Sequence, residues 1–273
     1  MSKSFAVIGD PIDHSLSPNI HSAAFRELNL DESYIAYRIP KGELEEGIHG
    51  LKKIKITGFN VTIPHKIEMM KYLDKIDESC SIIGAVNTVS NENGVLKGYN
   101  TDMDGFVDAF KKKKLTIKDS KVLLLGAGGA ARAIVAAFAK EKAKQLKIAN
   151  RTFEKAEKLS EFSKKIGLES IPTTIQQVKH SASDYDIIVN ATSLGLKNEA
   201  SPISFEGIKK EAIVYDIVYM PMNTNFIKDA KNNGAKIIFG YEMLLGQATR
   251  AFEIWHEMKA PYNAMKRALL GGA

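Results

Sequence analysis

A chain of 273 residues, 44% hydrophobic and 26% charged, is long for one domain and comfortable for two, and its composition excludes disordered and fibrous classes. The net charge of +6 raises the question of nucleic acid, but the excess sits in residues 105–243, with 23 Lys and Arg against 15 Asp and Glu, and lacks aromatic interleaving or zinc spacing. Apolar runs such as Val122–Leu125 are too short to span a bilayer, the N-terminus lacks signal-peptide features, and a single cysteine, Cys80, permits no intrachain disulfide and suits a reducing compartment. A cytoplasmic protein without nucleic-acid or membrane partners is expected, as monomer or homodimer.

In chain order, Phe5–Gly9 reads as a buried strand ended by glycine. Ser17-Pro18 opens a helix, with Ser17 suited to the N-cap and Ile20, Ala24 and Leu28 on one face. Tyr34–Ile39 and Gly58–Ile63 read as strands, and Val86–Val89 with Gly94–Gly98 as a hairpin around Asn91–Asn93. A helix from Asp104 to Lys114 leads out of this unit. Lys121–Leu125 is then a strand, Ala131–Lys140 a helix, Leu146–Asn150 a strand and Phe153–Lys165 a helix. Strands follow at Ile187–Asn190, Ile213–Val218 and Lys236–Phe239, and helical periodicity at Met243–Met258 and at the C-terminus. The alternation predicts largely parallel sheets in two α/β domains. Residues 1–104 plus 244–273 would make a three-layer domain, and residues 105–243 a doubly wound, Rossmann-type one.

Leu125-Gly126-Ala127-Gly128-Gly129-Ala130-Ala131 places Gly126, Gly128 and Ala131 at the positions of the G-x-G-x-x-G/A fingerprint, between an apolar strand and a helix. Gly126 permits the tight turn, Gly128 the approach of a pyrophosphate, and Ala131 close helix–strand packing, while the helix N-terminus offers amide donors. The alternative is a glycine turn that binds nothing. NAD sites usually carry an acid at the end of the next strand to hold the ribose 2′-hydroxyl. Here that strand ends in Asn150-Arg151-Thr152. A carboxylate would repel a 2′-phosphate, whereas Arg151 can clamp it, so NADP is expected unless Arg151 is merely a solvated turn residue.

Three clusters in residues 10–102 carry more reactive groups than a fold requires. Ser15 and Ser17 could both bond one carboxylate, or Ser17 could simply cap a helix. In Asn60-Val61-Thr62-Ile63-Pro64-His65-Lys66, strand alternation puts Asn60 and Thr62 on one face with Lys66 beyond the strand end, which also fits a solvated edge. Asn87 and Asp102 look like hydrogen-bonding groups presented at strand ends, where α/β sites assemble.

Ser-Leu-Ser-Pro, Asn-Val-Thr-Ile-Pro-His-Lys, Gly-Ala-Val-Asn-Thr, Gly-Tyr-Asn-Thr-Asp, the glycine loop, Asn-Arg-Thr, Asn-Ala-Thr-Ser and Gly-Tyr-Glu-Met-Leu-Leu-Gly-Gln-Ala occur in that order from about residue 5 to residue 250. This succession resembles the shikimate dehydrogenase family. The resemblance implies reversible NADPH-dependent reduction of 3-dehydroshikimate to shikimate, on the route to chorismate and the aromatic amino acids. It implies Lys66 as catalytic lysine with Asp102 beside it, and Ser15 and Ser17 on the substrate carboxylate. Asn60, Thr62, Asn87, Asp102, Tyr219 and Gln247 would surround the ring. Gly126, Ala127, Gly128, Gly129 and Ala130, with Asn150, Arg151, Thr152 and Lys155, would hold NADP. Thr192, Ser193, Ile217 and Gly240 would line the nicotinamide side, with Glu78 a further contact. The segment Tyr219–Phe226 departs from the family's usual Thr-Pro pattern. No metal is expected, since the histidines show no metal-ligand spacing. The alternatives are a quinate/shikimate dehydrogenase using NAD and a non-catalytic NADP-binding sensor.

Overall fold

The first apolar run forms β1 (Ser4–Gly9), and the chain continues through α1 (Ser17–Glu27), β2 (Ser33–Arg38), α2 (Leu44–Lys53), β3 (Gly58–Val61), β4 (Lys75–Ile76), α3 (Glu78–Ile83), β5 (Thr88–Glu92), β6 (Val95–Tyr99) and α4 (Asp102–Lys112). Next come β7 (Lys121–Leu125), α5 (Gly129–Lys140), β8 (Gln145–Asn150), α6 (Phe153–Lys165), β9 (Ser170–Thr174), β10 (Ile187–Asn190), β11 (Ile213–Asp216), α7 (Asn225–Asn232), β12 (Lys236–Ile238), α8 (Gly240–His256) and α9 (Tyr262–Leu269). The computed structural model describes residues 2–271. They fall into two compact units: residues up to Gly105 with those from Leu245 on, and Phe106–Leu244.

In the first unit the sheet order is β2-β1-β3-β5-β6-β4. β1 runs parallel to β2 and β3, but β5 is antiparallel to both β3 and β6, so this sheet is mixed. The tight turn at Asn93 and Gly94, with φ of 55° and 91°, sets β6 antiparallel to β5, since so short a connection can only return antiparallel. The sheet is covered on both faces. Ala6, Ile8, Phe59 and Val61 pack under Leu44, Ile48 and Leu51 of α2. On the other side, Phe5 packs at a tilt against Phe25 of α1 and Trp255 of α8, and the Trp255 indole donates to the Val89 carbonyl at 3.0 Å. Gly58 is required beneath that indole, because a Cβ there would lie 2.4 Å from Nε1.

One local expectation is corrected. The N-cap of α1 is Leu16, not Ser17, and no side chain caps the helix. Pro18 in the first turn, which lacks an N–H, lowers the number of donors that need one.

The second unit is an all-parallel sheet in the order β12-β11-β10-β7-β8-β9. The order reverses outward from β7 and β10, which makes it the doubly wound, Rossmann-type arrangement. Strands buried on both faces are continuously apolar, as in the Val-Leu-Leu-Leu of β7. One face packs Leu123, Leu125, Ile188 and Val214 against Phe226 and Ile227 of α7. The other stacks Tyr215 on Phe106, which meets Phe138 edge-on. Among the described residues no helix is long and apolar enough to cross a membrane.

Candidate active site

In the first unit the reactive groups gather where β3 and β6 end and the antiparallel β5 begins. Lys66 follows the turn after β3, and its backbone carbonyl accepts from Val86 N at 2.9 Å. The neighbouring His65 ring is buried, with Nε2 2.6 Å from the Ile39 carbonyl oxygen, which pins the turn. Asp102 is the first residue of α4, where the helix N-terminus favours a carboxylate. Lys66 Nζ donates to Asp102 Oδ2 at 2.5 Å, and the two side chains are 16% and 9% exposed. Mostly but not wholly buried, the ammonium keeps donors to spare for an incoming oxygen.

Asn87 sets the direction of that carboxylate. Its Nδ2 donates to Asp102 Oδ1 at 2.8 Å and to Thr101 Oγ1 at 3.0 Å, while its Oδ1 accepts from Thr101 N at 2.7 Å. Asn60 is buried rather than part of a solvated edge. Its amide donates to the Asn87 carbonyl and to Thr88 Oγ1, and its Oδ1 accepts from the Tyr34 hydroxyl at 2.6 Å. Thr62 is half-buried beside the pair of strand ends, and Gly9 leaves it room, since a Cβ on Gly9 would lie 2.4 Å from the Thr62 methyl. Ser17, freed from capping, is buried, and its N–H points at the half-buried Ser15 hydroxyl at 3.4 Å. Gln247, on α8, is also buried in this unit, and Glu78 is an exposed residue at the start of α3.

In the second unit the loop after β7 turns at Gly126, whose φ is +107° and whose Cβ would lie 2.7 Å from the Ala191 carbonyl. At Gly128 and Gly129 a Cβ would meet nothing within 4 Å. Packing therefore does not require glycine there, and the bare backbone leaves space at the N-terminus of α5, which carries no side-chain cap. Ala127 and Ala130 complete the loop, both half-buried, and Ala131 is buried under the helix.

After β8, Asn150 Nδ2 donates to the Thr152 carbonyl, leaving Arg151, Thr152 and Lys155 exposed around the start of α6. No side chain caps that helix either. Two helix starts without side-chain caps, the second beside the exposed Arg151 and Lys155, fit a ligand with a pyrophosphate and a further phosphate. Thr192, Ser193, Ile217 and Tyr219 lie on the loops after β10 and β11, and Gly240 begins α8. Gly240 admits no side chain, because a Cβ would lie 2.4 Å from the Val218 carbonyl oxygen. Burial raises the pKa of the Tyr219 phenol, which keeps it a neutral donor.

A model of the shikimate dehydrogenase substrate-binding domain matches residues 7–89, one of shikimate/quinate 5-dehydrogenase residues 109–217, and one of the shikimate 5′-dehydrogenase C-terminal domain residues 240–270. An NADP(+) shikimate dehydrogenase of Nitrosopumilus maritimus is 76% identical over 272 residues, covering 100% of both chains. The chain belongs to the shikimate dehydrogenase family. Among solved structures of this family, a shikimate dehydrogenase in complex with NADP+ superimposes with a TM-score of 0.91 at 38% identity, over 99% of this chain and 95% of that one. The Thermus thermophilus enzyme, in complex with NADP(H) and shikimate, has a TM-score of 0.88 at 34% identity, over 99% and 100% of the two chains.

Several participants were given no role from the sequence, although Thr88, Thr101 and Asn190 stand within the motifs quoted above. Tyr34, Thr88 and Thr101 complete the network behind Asn60 and Asn87, yet each reads locally as an ordinary strand or turn residue. In the second unit of this shikimate dehydrogenase family member, Asn190, Asp216 and Thr224 are fully buried, and Asn190 and Thr224 both bond Asp216; of the three only Asn190 stood in a quoted motif.

Proposed function

We propose that this protein is an NADP-dependent shikimate dehydrogenase, reversibly reducing 3-dehydroshikimate to shikimate in the biosynthesis of chorismate and the aromatic amino acids. The observation that carries the mechanism is the Lys66–Asp102 pair, a charged donor held by a carboxylate that Asn87 orients from behind. The first unit is the substrate domain and the second the NADP domain.

The nicotinamide, when bound, supplies or accepts the hydride at C3 of the substrate ring. In the reducing direction Lys66 Nζ gives a proton to the oxygen on C3; in oxidation it takes that proton back. Asp102 holds the ammonium in place and accepts from a neighbouring ring hydroxyl. Ser15 and Ser17 bond the substrate carboxylate, and Thr62, Asn87, Tyr219 and Gln247 contact the ring. Asn60, whose amide is already spent on Asn87 and Thr88, holds that wall in register. Gly126–Ala130 receives the pyrophosphate, Asn150, Arg151, Thr152 and Lys155 the 2′-phosphate side, and Thr192, Ser193, Ile217 and Gly240 the nicotinamide side. Glu78 is assigned as a further cofactor contact.

An absorbance assay of the nicotinamide with shikimate and quinate, each with NADP and with NAD, tests the proposal. Turnover should be fastest with shikimate and NADP. A preference for quinate with NAD would replace this reading by that of a quinate dehydrogenase, and no turnover with any pair would leave a binding protein.

A further inference from the structure

The loops after β10 and β11 are joined by a single carboxylate. Asp216, the last residue of β11, is fully buried, as are Asn190, the last residue of β10, and Thr224, the N-cap of α7. Three donors converge on Asp216. Oδ1 accepts from Asn190 Nδ2 at 2.9 Å and from Val218 N at 3.0 Å, and Oδ2 accepts from Thr224 Oγ1 at 2.5 Å. Asn190 passes the constraint on: its Oδ1 accepts from Thr192 N at 3.1 Å and Thr192 Oγ1 at 2.6 Å, and its Nδ2 also donates to the Leu194 carbonyl at 3.0 Å. Gly195 closes the loop against Thr224, where a Cβ would lie 2.9 Å from the threonine methyl. Thr192 and Ser193 on one loop and Ile217 and Tyr219 on the other are thus fixed through one buried acid.

We propose that Asp216 is a positioning residue for the nicotinamide end of the cofactor, holding the two loops in the one arrangement that receives the ring. This inference rests on the reading of the second unit as an NADP domain. A fold alone has no need of a carboxylate here, because stripping it of water is costly. Burial pushes the Asp216 carboxyl up to about 6, against the pull of its three donors. Asparagine has one acceptor oxygen and would turn an NH₂ toward a donor, leaving at least one buried group unpaired.

Asp216→Asn should therefore populate the competent loop arrangement only fractionally, and apparent affinity falls by that fraction, on the order of 10-fold. The test compares two ligands by titration calorimetry: NADP, and adenosine 2′,5′-bisphosphate, which lacks the nicotinamide half. In D216N the Kd for NADP should rise about 10-fold and that for the bisphosphate less than about 2-fold. Amide exchange in the ligand-free variant should quicken at residues 191–195 and 217–219. If Asp216→Asn does not fold, Thr224→Val removes one of the three bonds and should show the same split at roughly 3-fold. Equal losses for both ligands, or no loss for either, would overturn the proposal. A wild-type chain that binds neither ligand would instead remove the NADP reading itself.

Discussion

Lys66 Nζ donates to Asp102 Oδ2 and has no second side-chain partner among the described residues, so its remaining donors are available to a ligand oxygen. Lys66→Ala should lower kcat by roughly 10²–10⁴-fold, the range for losing a positioned acid–base group, while shikimate KM changes far less because the carboxylate and ring contacts remain. Steady-state kinetics separates the two constants, and a raised KM with kcat near wild type would make Lys66 a binding residue. Arg151 makes the matching argument for the cofactor. It is exposed, unpaired among the described residues, and stands beside the uncapped start of α6. Charged hydrogen bonds to a 2′-phosphate contribute about 1.5–3 kcal/mol, so Arg151→Ala should raise the KM for NADP by roughly 10- to 150-fold and leave NAD use almost unchanged. Added salt should shrink the difference, as an exposed ion pair is screened. Equal losses with NADP and NAD would move the 2′-phosphate contact elsewhere.

At the scale of elements, α1 carries a histidine where an apolar residue would do. His21 is fully buried, stacks on Tyr34 at 4.4 Å and 1°, lies 5.3 Å from Trp255, and neither ring nitrogen has a hydrogen-bond partner. Burial, aided by repulsion from His256, lowers its pKa to about 3 from 6.5. The folded state therefore holds the neutral ring while the unfolded chain takes up a proton below pH 6.5. Stability from this group is complete above pH 6.5 and is lost as pH falls toward 3, at up to about 1.4 kcal/mol per pH unit. His21→Phe keeps an aromatic ring and has no titration, so its stability should fall less steeply than wild type between pH 6.5 and 4. Urea midpoints at several pH values measure this, and parallel slopes would refute it.

The same scale shows what could be read from the chain. Much of the second unit was legible because parallel strands buried on both faces leave continuous apolar runs, and because the glycine loop sits between a strand and a helix, but β9, a Ser-Ile-Pro-Thr-Thr edge strand, and the eight-residue α7 went unread. In the first unit, β4 is two exposed residues and α3 only six, too short for any period to register. α2 is interrupted by Gly47 and Gly50, and buries only Leu44, Ile48 and Leu51. The hairpin was legible in kind, but its first strand lies two to three residues later than the apolar pattern suggests, since Val86 is buried in the turn that bonds Lys66. Lys66 and Asp102, 36 residues apart, were joined in the sequence only through the family resemblance. Asp216 and Thr224 escaped notice because an acid at a strand end followed by a Met-Pro-Met turn looks like solvated surface, and only the third dimension reveals three donors around it.

For the whole molecule, the division of the chain assigns one reporter to one unit. Trp255 is the single tryptophan, and it is packed against Phe5, His21 and Tyr34 within the first unit. Its fluorescence follows the unfolding of that unit, whereas far-UV circular dichroism follows the helices of both. A ligand present at 100 times its Kd stabilises the structure that binds it by about 2.7 kcal/mol. Shikimate should therefore move the Trp255 urea transition to higher concentration. Adenosine 2′,5′-bisphosphate, which reaches only Gly126–Ala130 and the Arg151 turn in the proposed assignment, should instead move the part of the dichroism change that Trp255 does not report. A Trp255 transition that responds to the bisphosphate and not to shikimate would reverse the assignment of substrate and cofactor domains. Equal responses of both probes to both ligands would mean that the units unfold as a single cooperative structure, and the separation argued from the chain's division would be wrong.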